Sequence, residues 1–290
     1  MTLTTRFRRR LRLPLWLLAV LLLGGCAAPS TLLFYPMKPL RHTPAALGLA
    51  YEDVFLTAAD GTALHGWYLP PVGAARGNLL VLHGNAENIS THFVSVAWLP
   101  AAGYGVLALD YRGFGRSAGV PGLPQVFADV AAASDWLFSH TAPPHFLLGQ
   151  SLGAALAVGF LADPRSRRFS ALLLDAPFAR YRDIGRYALS RGWFGRIFLA
   201  PAANLLPQEN DPLDRIGRAT QPLLFYASPN DPIVPLAQTR QLYAAAPAPK
   251  QLSLHQGGHI ATFADPAQRQ LTLQFLHGAA SAAGRSTPPR

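Results

Sequence analysis

Short apolar runs alternate with helix-length segments along most of the chain. Strands that are apolar at every position, rather than at every second one, are typical of a parallel sheet that helices cover on both faces. The pattern therefore predicts an α/β fold with a doubly wound, mostly parallel central sheet. Predicted strands of this kind occupy residues 78–84, 104–113, 145–151, 169–177, 222–228 and 250–255.

The start of the predicted sheet has a different pattern. Residues 51–57 (YEDVFLT) and 62–70 (TALHGWYLP) alternate between apolar and polar side chains, and the turn signal Ala59-Asp60-Gly61 separates them. Two such runs joined by a short turn predict an antiparallel pair, which we place at the N-terminal edge of the sheet. Helices are predicted at 125–140, 152–162, 237–246 and about 267–277, and a further helix-length segment reaches residue 102.

Composition marks the boundaries of the folded domain. Residues 26–50 are rich in proline and small side chains and have no sustained period, which predicts a tether and an arm on the domain surface. The domain is expected to span 51–278, and 279–290 are expected to form a disordered tail. Within the domain, 178–220 is richer in arginine and aromatic residues. It is either a crossover helix with a surface loop or a lid over a substrate pocket, and 187–200 (YALSRGWFGRIFLA) has the pattern of an amphipathic helix.

Positive charge is concentrated at the N-terminus. The chain has 25 basic and 15 acidic residues, a formal charge of +10, and five of the basic residues are arginines among the first twelve positions. The rest of the chain therefore carries 20 basic residues against the same 15 acidic ones. Because these are scattered and form no basic run interleaved with aromatic side chains, the composition argues against nucleic-acid binding.

The N-terminal arginines precede an apolar run, Leu13 to Leu23, and then the chain's one cysteine, Cys26. A basic segment, an apolar run too short to span a membrane comfortably and small residues at its end predict a secretory signal peptide over 1–25. An uncleaved N-terminal anchor is the alternative. A single cysteine also excludes an intramolecular disulfide and any CxxC metal or redox site.

The end of this segment, Leu23-Gly24-Gly25-Cys26, resembles the lipobox of bacterial lipoproteins. The resemblance implies cleavage before Cys26, lipidation of that cysteine and tethering of the mature chain to a membrane of the cell envelope. Ala27, in place of an aspartate, favours the periplasmic side of the outer membrane.

One serine lies in the setting of an activated nucleophile. Gly149–Gly153 (GQSLG) joins an apolar strand (HFLL) to a helical segment (LGAALAVGFLA). In a G-x-S-x-G turn of this kind the serine has a strained backbone, the glycines avoid collisions, and the N-terminus of the following helix directs free N–H groups at a bound group. Ser151 is therefore the candidate nucleophile, and a small residue in a tightly packed helix start is the alternative.

A serine hydroxyl is a poor nucleophile unless a base and an orienting acid assist it, and in this setting they follow in the order Ser, Asp/Glu, His. Asp231 comes just after the strand PLLFYAS, and His259 follows the strand KQLSLH in a loop with two glycines. We therefore predict Asp231 as the acid and His259 as the base. Asp175, which also ends a strand, is an alternative acid, whereas His255 lies at the end of its strand and is predicted to be structural.

The tetrahedral oxyanion of acyl transfer is typically held by two backbone N–H groups. Leu152 follows the nucleophile and is predicted to supply the first. The second is predicted from Asn85, in the loop His83-Gly84-Asn85 that follows the strand NLLVL. His83 is interpreted as a buried histidine that bonds the loop backbone, and a proton shuttle is the alternative.

Together these motifs resemble the α/β-hydrolase superfamily of serine hydrolases over about residues 51–277. Asp110–Ser117 (DYRGFGRS) is similar to the strand-to-turn signature common in that superfamily, where Ser117 has a structural role. Phe34-Tyr35-Pro36 resembles the entry segment of the branch that includes membrane-associated depalmitoylases and lysophospholipases. The nucleophile motif ends SLGAA where close relatives often have SLGGA, which is expected to alter helix packing without removing the machinery.

The resemblance implies an α/β-hydrolase fold, with helices on both faces of the sheet and an antiparallel N-terminal edge. It also implies a membrane-tethered serine hydrolase that cleaves carboxylic esters or thioesters through a Ser-His-Asp triad and an acyl-enzyme, with no metal or organic cofactor. Its partners would be a small-molecule or lipid acyl ester and the membrane. The alternatives are a serine peptidase on the same fold and a catalytically silent binding lipoprotein.

Overall fold

The computed structural model describes residues 33–190 and 200–285. The predicted signal peptide (1–25), the lipidation site Cys26 and most of the predicted helix 187–200 lie outside the described residues. They stay predictions, as does the division of residues 26–50 into a tether and an arm.

The strands alternate with helices from residue 77 onward. The strands are β1 (Tyr35–Pro36), β2 (Glu52–Thr57), β3 (Ala63–Leu69), β4 (Gly77–Leu82), β5 (Ala86–Glu87), β6 (Tyr104–Asp110), β7 (His145–Gln150), β8 (Ala171–Asp175), β9 (Leu223–Ala227) and β10 (Lys250–Leu254). The α-helices are α1 (Ile89–His92), α2 (Val126–His140), α3 (Leu152–Gly159), α4 (Tyr181–Leu189), α5 (Pro212–Arg215), α6 (Leu236–Ala245) and α7 (Pro266–Arg285). Short 3₁₀ segments include Pro44–Leu47, Phe93–Ser95, Pro100–Ala102, Phe160–Ala162, Ala200–Leu205 and Thr262–Ala264.

Eight of the described strands form one sheet, in the order β10-β9-β8-β7-β4-β6-β3-β2. Neighbours from β10 to β6 run parallel, whereas β2 pairs with β3 and β3 with β6 in antiparallel register. The fold class predicted from the apolar runs is therefore confirmed, including the antiparallel N-terminal edge. Because parallel strands end at the same edge of the sheet, the loops after β4, β7, β9 and β10 emerge on one side of the domain.

Each face of the sheet is covered by its own apolar core. Helices α2 and α3 supply one core, which includes Val130, Leu137 and Leu156. The other core contains Phe93, Phe263 and apolar side chains of the C-terminal helix α7. Strands β4, β6, β7, β8 and β9 are buried at every position, which is why their sequences read as continuous apolar runs.

Two sequence predictions differ from the structure. The helix-length segment before residue 102 contains only the four-residue helix α1 followed by 3₁₀ turns, the last of which begins at Pro100 and ends at the left-handed Gly103 (φ 87°). Helix α7 continues to Arg285, so the predicted disordered tail is wrong for 279–285. That stretch is rich in alanine, which favours helix, and Ala279 is buried in a core.

The arm was predicted to lie on the domain surface, but two of its side chains are buried. Leu33 and Phe34 are buried in the core, and the ring of Phe34 packs edge-to-face on Phe114 with centroids 6.4 Å apart. Within the described ranges, no helix is both long enough and apolar enough to span a bilayer.

Candidate active site

Ser151 lies on the sharp turn between β7 and α3, with φ 54° and ψ −116°. A positive φ is uncommon for a residue with a side chain and persists only when its surroundings enforce it. The Ser151 N–H donates to the Asp175 carbonyl (2.8 Å), which fixes the turn to the adjacent strand. The hydroxyl is thus held at the start of a helix, on the edge of the sheet where the loops gather.

The two glycines of the motif allow this turn because nothing larger fits. A Cβ on Gly153 would collide with the Leu82 carbonyl oxygen, and a Cβ on Gly149 would collide with the Gly153 carbonyl oxygen. The backbone of α3 therefore lies directly against β4, and the residue following Ser151 can begin the helix without steric clash. Glycine stands at both positions of the motif because only glycine permits this close approach of the two backbones.

Asp231 and His259 are brought together from different loops. The His259 Nδ1 lies 2.7 Å from Asp231 Oδ2, and Asp231 Oδ1 accepts from the N–H groups of Ile233 (2.8 Å) and Val234 (2.9 Å). Burial by itself would raise the pKa of Asp231, but the bond to His259 and the two backbone donors hold that pKa below its ordinary value. The carboxylate is therefore ionised at neutral pH, and it fixes the imidazole with Nδ1–H toward it and Nε2 free.

Strain next to the histidine resembles that at the serine. Ile260, directly after His259, has φ 48°, a conformation that β-branched residues rarely adopt. Within the described residues, the Ser151 hydroxyl and His259 do not form a hydrogen bond. In enzymes without substrate this bond is often long or absent and forms in the substrate complex, so the pairing of these two residues stays a prediction.

A fully buried network joins the serine turn to the histidine loop. Asp175 Oδ2 accepts from the Gln150 amide (3.0 Å) and Oδ1 from the Thr262 hydroxyl (2.6 Å), and His255 Nε2 lies 3.0 Å from that hydroxyl. Burial raises the pKa of Asp175, with the bonds from Thr262 and Gln150 offsetting part of the effect. The carboxylate that contacts His259 is that of Asp231, whereas Asp175 and His255 are bonded within this network.

The loop after β4 places Asn85 beside the serine. Asn85, Ser151 and Leu152 line the same cavity, and no described residue accepts a hydrogen bond from the N–H of Asn85 or of Leu152. Two free N–H groups beside a serine form the arrangement that holds an oxyanion. His83 Nδ1 donates to the Gly84 carbonyl (2.8 Å), in agreement with the interpretation of His83 as a support for the loop backbone.

His92 is a neighbour of this loop that sequence reasoning did not single out. Its ring stacks on His83 with centroids 5.2 Å apart, and its Nε2 lies 3.1 Å from the Ala86 carbonyl, to which it donates. Burial, the largest cause, lowers the pKa of His92 to about 4, so the ring is neutral at pH 7. Ser117, predicted to be structural, is buried and bonds the Asp110 carbonyl and the His65 N–H.

The cavity in front of Ser151 has a volume of about 260 Å³ and is mostly apolar. Its walls come from the arm, from residues 178–189 and 202–206 and from the loop after Asp231. Movement of residues 178–220 as a lid stays a prediction. The lining residues are Leu33, Tyr35, Asn85, Ser151, Leu152, Phe178, Ile184, Gly185, Ala188, Leu189, Ala202, Ala203, Leu206, Ile233 and Val234. Across the described ranges, no group of three or more His, Cys, Asp or Glu side chains could hold a metal ion.

The chain is similar to known hydrolases over most of its length. Residues 73–212 match the family model described as serine aminopeptidase, S33. The α/β-hydrolase domain-containing protein WAV2 of Arabidopsis thaliana is 32% identical over 221 residues, which cover 73% of this chain and 71% of WAV2. The lysophosphatidylserine lipase ABHD12 of Macaca fascicularis is 31% identical over 63% of this chain and 48% of its own length.

A solved structure shares the same fold. The Pyrococcus furiosus esterase Pf2001 superimposes with a TM-score of 0.70, covering 86% of this chain and 98% of the esterase at 20% identity. At that identity the likeness concerns the fold alone.

The close approach of α3 to β4 at the serine turn predicts that a larger residue at position 153 destabilises the fold. Gly153→Ala is expected to lower the free energy of unfolding by about 1–3 kcal/mol, because the new methyl group must push α3 away from β4. Gly258→Ala is the matched control, since nothing lies within 4 Å of a Cβ there, and it should stay within about 0.5 kcal/mol of the original protein. Urea unfolding measures both, and equal effects would show that the turn tolerates the displacement.

Proposed function

The chain belongs to the α/β-hydrolase superfamily, and from this premise we propose that it is a membrane-tethered serine hydrolase that cleaves carboxylic esters or thioesters of apolar acyl groups. The observation that carries the proposal is the strained Ser151 at an apolar cavity, between two free N–H groups, together with the hydrogen-bonded His259 and Asp231 in loops at the same edge of the sheet. The name of ABHD12, a lysophosphatidylserine lipase, is consistent with the lysophospholipase-like branch indicated by Phe34-Tyr35-Pro36.

The proposed mechanism uses the three residues in sequence. His259 Nε2 takes the Ser151 hydroxyl proton as Oγ attacks the acyl carbon, and Asp231 holds the imidazole in the required tautomer and stabilises its charge. The N–H groups of Asn85 and Leu152 hold the oxyanion. His259 then gives the proton to the leaving alcohol or thiol. Water, deprotonated by the same histidine, attacks the acyl-enzyme; the bond from the acyl carbon to Ser151 Oγ breaks, Oγ takes the proton back from His259, and the carboxylic acid is released.

The lining of the cavity favours an acyl ester over a peptide N-terminus. The matched family model is described as a serine aminopeptidase, and such a substrate carries an α-ammonium group that must be bound by oxygen acceptors or a carboxylate. None of the described lining residues is charged. An uncharged, apolar cavity instead suits a hydrocarbon chain, which loses unfavourable contact with water on entering it.

The tether is a separate part of the proposal. We propose lipidation of Cys26 and attachment to a membrane of the cell envelope, with the periplasmic side of the outer membrane preferred on account of Ala27. Leu33, which lines the cavity, follows Cys26 by seven residues, a length that extended chain spans in about 25 Å at most. A lipid at Cys26 would therefore keep the cavity close to the bilayer, where acyl lipids are concentrated.

The nucleophile is tested with an activity-based probe. A fluorophosphonate should label the original protein and fail to label Ser151→Ala, because the probe reacts only with an activated serine. Ser117→Ala is the control variant, since Ser117 is a buried structural serine beside glycines, and it should keep the label. Labelling that survives in Ser151→Ala, or an unlabelled original protein, would reject this nucleophile.

The substrate class is tested with p-nitrophenyl esters of increasing chain length, thioesters and peptide amides. Hydrolysis of esters with an optimum at an intermediate acyl length is expected, because the cavity has a limited volume of about 260 Å³. Ala203→Leu, which adds volume to the lining, should move the optimum to shorter chains, whereas the exposed Ala237→Leu should leave it in place. Activity on peptide amides alone would overturn the esterase proposal.

The tether is tested by metabolic labelling. Cys26→Ala should no longer incorporate labelled palmitate and should leave the membrane fraction, while activity on a soluble ester remains. Incorporation unchanged from the original protein would show that the lipobox interpretation is wrong. A variant that loses the label and yet stays in the membrane fraction would favour the uncleaved anchor.

A further inference from the structure

The N-terminal arm, residues 33–41, is bonded to the loop that carries Asn85, residues 83–90, here called the oxyanion loop. Strand β1 pairs in parallel with β5, and the Tyr35 N–H donates to the Asn85 carbonyl (2.7 Å) while the Met37 N–H donates to the Glu87 carbonyl (2.9 Å). The arm lies outside residues 73–212, the range that matches the family model. The bonds between the arm and the oxyanion loop therefore join a segment outside the family match to a loop inside it.

The carbonyl of each peptide group that flanks the Asn85 Cα accepts a hydrogen bond. On one side His83 Nδ1 donates to the Gly84 carbonyl, and because a trans peptide points its C=O and N–H in opposite directions, the Asn85 N–H is directed away from His83. On the other side the Tyr35 N–H holds the Asn85 carbonyl. The direction of the Asn85 N–H thus depends on one support from inside the domain and one from the arm.

Asn88 bonds the arm through its side chain. Its amide nitrogen donates to the Met37 carbonyl (2.8 Å) and the Pro39 carbonyl (2.9 Å), and its amide oxygen accepts from the Ser90 N–H (3.0 Å), which caps helix α1. The Ser90 hydroxyl in turn accepts from the Arg41 N–H (2.8 Å). Asn88 is fully buried, so these bonds are shielded from competing water.

The oxyanion loop is strained where the arm meets it. Glu87 has φ 64°, a left-handed conformation that a residue with a side chain adopts only when neighbouring contacts enforce it. The Glu87 carbonyl is the group that the Met37 N–H bonds. The arm therefore supplies contacts that hold the loop in a conformation it would not prefer alone.

We propose that the arm is a working part of the active site, in which the Tyr35 backbone N–H and the Asn88 side chain position the Asn85 oxyanion donor. Tyr35 and Asn88 are positioning residues, because they act on the reacting group through Asn85. Leu33 and Tyr35 also line the cavity, so the arm supports the oxyanion loop and forms a wall of the substrate site at once. The proposal rests on the proposed hydrolase function.

The test compares two substitutions at one position in the full chain. Tyr35→Pro and Tyr35→Ala both remove the ring from the cavity, but only Tyr35→Pro removes the N–H that bonds Asn85. The kcat of Tyr35→Pro on p-nitrophenyl acetate is expected to be on the order of 10- to 100-fold below that of Tyr35→Ala, because misplacing an oxyanion donor costs factors of this size. Affinity for a trifluoromethyl ketone, whose serine adduct carries an oxyanion, should fall by a similar factor.

Asn88→Ser gives an independent test. Serine caps a helix as well as asparagine does but is too short to reach Met37 and Pro39, so α1 keeps its cap and the arm loses two bonds. The control is Asn78→Ser, which removes a buried asparagine bonded to Tyr68 and Ala142 away from the site. Both variants should have lower thermal midpoints, but only Asn88→Ser should lose kcat and ketone affinity.

The outcomes separate this inference from the proposed function. Equal kcat and ketone affinity in Tyr35→Pro and Tyr35→Ala, with a labelled and active original protein, would overturn the role of the arm and leave the hydrolase intact. Equal losses of kcat in Asn88→Ser and Asn78→Ser would likewise show a general effect of stability. Labelling that survives in Ser151→Ala would instead reject the proposed function.

Discussion

The backbone of Ser151 is held in a left-handed turn by contacts that leave no room for adjustment, and the geometry around it depends on that turn. Its N–H is bonded to the Asp175 carbonyl, and the glycines on either side lie against the carbonyl oxygens of neighbouring backbone. A free chain would not adopt this conformation, since it costs on the order of 1–3 kcal/mol. The cost is offset by the buried sheet and by α3, which begins directly after the serine.

The same turn is connected to the rest of the site by buried polar contacts. Gln150, next to the serine, is bonded to Asp175, and Asp175 is bonded to Thr262 in the loop that carries His259. On the other side, the oxyanion loop is held by His83 from within and by the arm from outside. Residues with a positive φ lie in the oxyanion loop (Glu87), at the serine (Ser151) and directly after the histidine (Ile260). Such strain is common where side chains are held ready for a reaction.

The sequence predicted the central features because local chemistry determines them. Continuous apolar runs identified the buried strands, and Gly149 and Gly153 marked the serine turn because only glycine fits there. Asp231 and His259 followed strands in the expected order. The bond of Asp175 to Thr262 and the bonds of Asn88 to Met37 and Pro39 could not be predicted in this way, because they join residues 87, 51 and 49 positions apart, and such pairing depends on the finished fold. The bonds between the arm and the oxyanion loop could not be predicted either, because the proline-rich sequence of the arm has no helix or strand period.

We propose that Ser151 reacts while its oxyanion lies between the N–H groups of Asn85 and Leu152. A crystal structure of the chain bound to an alkyl phosphonate measures this directly. We expect phosphorus bonded to Ser151 Oγ, a phosphonyl oxygen within about 2.7–3.1 Å of both nitrogens, and the alkyl chain in the apolar cavity. A phosphonyl oxygen turned away from Asn85 and Leu152, or an adduct on another residue, would contradict it.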